Sequence, residues 1–140
     1  MITNYWLFIA GVFTDLAGLF HLLIIVGGAS WYRFFGAGEK MAAMAEQGSF
    51  YPHIITFVIA TILGVWGLYA FAGAGLISQM PLMQYVLVGI FLVFFVRAVA
   101  GLVAYLMIKP NSTFMLNSSL ICLGYSLLFG VGTYQVWLTI

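Results

Sequence analysis

Four stretches of mostly apolar residues, each more than twenty residues long, alternate with short polar breaks along this chain. They cover about residues 4–28, 51–74, 82–108 and 113–137. A helix of roughly 20 such residues crosses a hydrocarbon core about 30 Å thick. In lipid, only helices and closed barrels satisfy their backbone internally. Barrel strands would be shorter and would alternate apolar with polar positions. The pattern therefore predicts an all-α integral membrane protein, a four-helix up-and-down bundle in a single transmembrane domain spanning 1–140.

The breaks between the runs carry turn chemistry. Pro52 suits the first turn of the second helix. Gly73-Ala74-Gly75 and Pro81 separate the second helix from the third, and Lys109-Pro110-Asn111-Ser112 separates the third from the fourth, with Ser112 as its expected N-cap. Connections this short make neighbouring helices antiparallel. The first connection, residues 29–50, is longer. Its stretch from Gly38 to Gly48 is rich in helix formers, with Met41, Met44, Ala45 and Gly48 on one face and Glu39, Ala43, Glu46 and Gln47 on another. After Trp31, Tyr32, Phe34 and Phe35, this reads as a short helix lying in the membrane interface, either a connector or a lid. Glu39 and Glu46 read as a solvated face, with a shared cation as the sharper alternative.

Composition narrows the function classes. With 65% hydrophobic residues, four basic and three acidic side chains, the chain cannot coat a soluble globule of this size. It also has no basic patch for nucleic acid. The single cysteine, Cys122, excludes an internal disulfide and a multi-thiolate metal site. The N-terminal run lacks a basic region and a small-residue cleavage pattern, so it reads as a retained first helix. Arg33, Lys40 and Lys109 fall in the first and third connections, which places those connections in the cytoplasm and both termini in the periplasm.

Two charges lie deep inside apolar runs. Asp15 is thirteen residues before Gly28, and Arg97 is eleven before Ile108. At 1.5 Å per residue their depths differ by only about 3 Å. Gly11 and Gly18 flank Asp15, and Gly101 follows Arg97 by one turn, spacings that let another helix approach. A bidentate Asp15–Arg97 pair in the bundle core is the expected centre, either a working site or a pair that fixes helix register. Tyr125 and Ser126 on the fourth helix, and Thr61 on the second, approach the same level. Ser119, Cys122 and Ser126 form one polar stripe.

His21 reads as a hydrogen-bonding partner within the bundle, with a proton-relay role open. Its depth and that of His53 differ by roughly 8 Å, which disfavours a shared haem or metal. The sequence shows no nucleophile–base constellation, phosphate loop or hydrolytic carboxylate pair. No catalytic residue, metal or cofactor is expected.

The run Leu19-Phe20-His21, then Gly27-Gly28 and Trp31, then Phe95-Val96-Arg97-Ala98, then Thr113-Phe114 ahead of Leu120-Ile121-Cys122-Leu123, resembles a group of small four-span bacterial inner-membrane proteins classed as a domain of unknown function. The resemblance implies a bacterial inner-membrane location and a four-helix fold, and it carries no activity. The chain departs from that group in its long first connection and in lacking charged residues just beyond Arg97. Small multidrug exporters share four short helices and an acidic residue in the first, a similarity of architecture alone.

Two expectations of function follow. In one, a small amphipathic or lipid-like ligand is bound or transported at the Asp15–Arg97 centre, with His21, Thr61, Tyr125 and Ser126 around it. In the other, the protein is a non-catalytic scaffold or accessory subunit whose ion pair is structural. The expected partners are the bilayer and such a ligand, and a bundle of this size leaves room for a homodimer.

Overall fold

Each apolar run becomes a helix because a backbone without water must bond to itself. The computed structural model describes residues 3–34, 39–108, 110 and 113–137. Its helices are α1 (Tyr5–Gly27), α2 (Ala29–Phe34), α3 (Glu39–Glu46), α4 (Tyr51–Gly73), α5 (Met83–Met107) and α6 (Thr113–Val136). The class is all-α, with no strand among the described residues. Four helices, α1, α4, α5 and α6, are long and apolar enough to cross a membrane. Between 22% and 28% of each apolar window is buried, so most of that surface needs an apolar solvent. This is a multi-pass membrane protein.

Local chemistry sets the helix ends. Asn4 caps α1, its side-chain oxygen accepting the Leu7 amide at 3.1 Å. Gly28, at φ +77°, ends α1, and its carbonyl accepts the amides of Trp31 and Tyr32, starting α2 at once. The ends of α3 and α4 are alike. Gly48 and Gly75 adopt positive φ, and the paired bonds Ser49–Met44 with Gly48–Ala45, and Leu76–Phe71 with Gly75–Ala72, close the last turns. The start of α5 is different. Leu82 takes φ +57° and offers no side-chain cap, while the Tyr69 hydroxyl donates to the carbonyl of the preceding Pro81.

The chain divides into two compact units, residues 1–12 with 66–140, and residues 13–65. In the first, α5 and α6 pack as an antiparallel pair joined to the start of α1 and the end of α4. Leu7 is fully buried where Gly73 and Gly132 have no side chains, and a Cβ on either would come within 2.5 Å of it. Asn4 Nδ2 donates to the Gly132 carbonyl at 2.9 Å. Phe94 stacks on Tyr125 and Phe129, and Trp66 meets it edge-on.

In the second unit, Gly18 lies against the Ala60 carbonyl and Leu63. Ile24, Tyr32 and Ala42 form a small core against which Ala45 packs. The short helix expected in the 38–48 stretch is α3, and a second short helix, α2, precedes it. The extra one arises because Gly28 redirects the chain and lets Tyr32 turn inward. Ala42 is the buried residue of α3, with Ala45 packed beside it, and Met41, Met44 and Ala45 are each half-buried. Small side chains allow α3 to sit close to Tyr32. The expectation that Ser112 caps α6 falls outside the described residues.

Candidate functional site

Arg97 is the charged side chain of α5, ten residues before Met107 and hence about 15 Å from that end of the helix. It is exposed, at the edge of the buried face that Phe94, Ala98 and Gly101 form on α5. Its Nη2 donates to Ser118 Oγ at 2.7 Å. Ser118 is five residues inside α6, about 8 Å from the first residue of that helix. The guanidinium thus reaches about 7 Å from its own Cα level toward the α5–α6 connection. An arginine in hydrocarbon relieves its cost in this way, by extending toward the interface.

Gly101, one turn on, makes that route open. A Cβ there would fall on Ser119 Oγ and on Arg97 Nη1. Ser119 is fully buried and donates to the Met115 carbonyl at 2.7 Å, so its hydroxyl is committed. Ser118 accepts from Arg97 and retains its own proton. The arrangement offers an exposed guanidinium with N–H groups beyond the one on Ser118, and one hydroxyl donor, which is a donor set for an oxyanion.

The expected buried Asp15–Arg97 centre is not shown. Arg97 is bonded to Ser118 inside its own unit, and Asp15 belongs to the other. Asp15 is half-exposed on α1, and its Oδ1 is enclosed with no hydrogen-bond partner among the described residues. Matching depths along two helices say nothing about azimuth, and azimuth decides pairing.

The other expected site residues separate in the same way. His21 Nδ1 contacts the Ala17 carbonyl of its own helix at 2.7 Å. Thr61 is exposed and donates to Phe57 O at 3.0 Å. Both lie in the unit with Asp15. Tyr125 and Ser126 lie in the unit with Arg97, Tyr125 stacked on Phe94 and Ser126 buried with its hydroxyl on Leu123 O at 2.7 Å. Each of these hydroxyls except that of Tyr125 bonds back onto its own helix, the local satisfaction open to Ser and Thr. Cys122 is a half-buried free thiol.

Sequence reasoning missed three contacts. Ser118 was passed over for its neighbour Ser119, although it sits little more than one turn below the level of Arg97, within reach of so long a side chain. Tyr32 donates to or accepts from His53 Nδ1 at 2.9 Å, with ring centroids 5.6 Å apart. Arg33 pairs with Glu46, tying α2 to α3. Glu46 is thereby engaged by a cation of the chain itself, and no group of three His, Cys, Asp or Glu among the described residues is placed to hold a metal.

A second feature lies between α5 and α6. A groove of about 670 Å³ is lined by Val88, Phe91, Ser126, Gly130, Thr133 and Trp137, among others, and is almost wholly apolar. Thr133 Oγ1, buried there, has no hydrogen-bond partner among the described residues.

No protein-family model, curated protein or solved structure matches this chain.

Proposed function

We propose that this protein binds an anionic amphiphile from within the membrane, with Arg97 and Ser118 holding the charged head and the exposed apolar faces of α5 and α6 in contact with its chain. The observation that carries the reading is the placement of Arg97. The guanidinium of an exposed arginine, well inside a membrane-crossing helix, lies over Gly101 and is bonded to one neutral hydroxyl. In hydrocarbon an arginine without a counter-anion is costly, and an anionic head supplies one. The expected ligand class is unchanged; the centre is Arg97 with Ser118, and Asp15 is free to act separately as a proton acceptor.

The positive-inside bias of Arg33, Lys40 and Lys109 favours a cytoplasmic α5–α6 connection, and the resemblance to four-span bacterial proteins implies the inner membrane. Anionic lipids are concentrated on that face. Movement of the ligand between leaflets and assembly as a homodimer are compatible extensions of this reading.

The scaffold reading draws on the same bond, since Arg97–Ser118 also ties α5 to α6. Mass spectrometry of lipids copurifying with wild type and with Arg97→Gln separates the two. Binding predicts that anionic lipids are depleted from the variant while neutral ones persist. A purely structural bond predicts a lower melting temperature and an unchanged lipid profile.

A further inference from the structure

We infer that the head held by Arg97 is an unsubstituted terminal oxyanion, a phosphate monoester or a carboxylate, in preference to a phosphate esterified to a second polar group. The inference rests on the anion-binding reading above and deepens it.

Depth is the first argument. With 24 residues, α6 is about 36 Å long, some 6 Å more than the hydrocarbon thickness of roughly 30 Å. Taken along the membrane normal, each end then projects about 3 Å. Ser118, about 8 Å from its end, lies about 5 Å inside the apolar layer. A phosphodiester drawn to that depth brings its glycerol, choline or ethanolamine with it, and those groups would meet only hydrocarbon. A terminal oxyanion brings nothing else.

The second argument is the donor set. Arg97 has its Nη2 on Ser118 and its Nη1 over Gly101 beside Ser119. Ser119 is committed to Met115 O. The donors left for a ligand are the guanidinium N–H groups not spent on Ser118, on a residue that is exposed as a whole, and the Ser118 hydroxyl. Together they match up to three free oxygens on one centre, which a phosphate monoester presents; a carboxylate presents two, as a diester does, and is favoured by depth alone. Beyond the head, Val93, Val96 and Ile121 are exposed at positions one turn or less from Arg97 or Ser118 and supply an apolar track for a chain.

The test is native mass spectrometry of the full-length protein in detergent, titrated with phosphatidic acid, oleate, phosphatidylglycerol and phosphatidylcholine of matched chains. Wild type is expected to bind phosphatidic acid or oleate at least about tenfold more tightly than the other two. The arm that binds identifies the head. Arg97→Gln is expected to erase the preference. Equal binding of phosphatidic acid and phosphatidylglycerol, both lost in Arg97→Gln, overturns this inference and leaves the anion site standing. Binding of all four that ignores Arg97→Gln overturns both. If Arg97→Gln does not fold, Ser118→Ala replaces it. That variant keeps the charge and removes one donor, so the monoester preference should shrink by severalfold, and an unchanged preference counts against the inference.

Discussion

Gly101 leaves vacant the space that the Arg97 guanidinium and the Ser119 hydroxyl share. Ser119 is fully buried and fixed by its bond to Met115 O, so it cannot yield, although the end of Arg97 can. Gly101→Ala should cost about 1–3 kcal/mol through overpacking, read as a lower melting temperature in detergent. Gly64, Gly89 and Gly124 have nothing within 4 Å of a built Cβ. Alanine at those helical positions should be neutral or stabilising by up to about 1 kcal/mol. Equal effects at Gly101 and at these three controls would show that the notch is not tight.

Asn4 performs two tasks with one side chain. Its oxygen caps α1 and its nitrogen donates to Gly132 O. Asn4→Ala should cost about 1–2 kcal/mol. Asn4→Asp keeps the cap and sets an acceptor against the Gly132 carbonyl in a buried place, so it should be at least as damaging. A thermal-melt series in which Asp matches wild type would remove the contact with α6 from the account.

The Tyr32–His53 bond joins the short helix α2 to the start of α4. Tyr32→Phe leaves the His53 ring nitrogen without that partner, at a cost of about 1–3 kcal/mol. Amide exchange should accelerate in residues 39–46, which pack on Tyr32 through Ala42. Unchanged protection there would mean that α3 is held independently of the bond.

Leu82 sits in the left-handed region and is largely exposed. A side chain there costs about 1–2 kcal/mol relative to the usual regions, while glycine loses about 0.5–1 kcal/mol more entropy on folding. Leu82→Gly should therefore stabilise the protein by about 0.5–1 kcal/mol. A lower melting temperature would indicate that the Leu82 side chain has a packing or lipid contact that outweighs the strain.

The four long helices were legible because membrane spanning imposes a length and a composition that Tyr5–Gly27 or Met83–Met107 meets without ambiguity. Position along each helix was legible too, since it follows from counting. Rotation about the helix axis was not, and that is why Arg97 was assigned to Asp15 when its guanidinium lies on Ser118. The inward turn of Tyr32 depends on Gly28 taking positive φ, and a glycine pair in sequence does not say which member will do so. Leucine is a poor signal for a left-handed residue, so nothing at Leu82 announced the start of α5. Of the expected stripe Ser119, Cys122 and Ser126, the two serines are buried and their hydroxyls serve their own helix.

The account stands on contact between Arg97 and an anionic head inside the bilayer. The chain has two arginines, Arg33 and Arg97, so Arg33→Lys leaves Arg97 as the single arginine to be isotope-labelled. Solid-state NMR of this variant in bilayers containing phosphatidic acid reads the ³¹P–¹⁵N dipolar coupling to the Arg97 guanidinium directly. A coupling of the strength found in hydrogen-bonded guanidinium–phosphate pairs is the predicted result. A guanidinium coupled to no phosphorus, with Ser118 as its sole neighbour under saturating lipid, would contradict it.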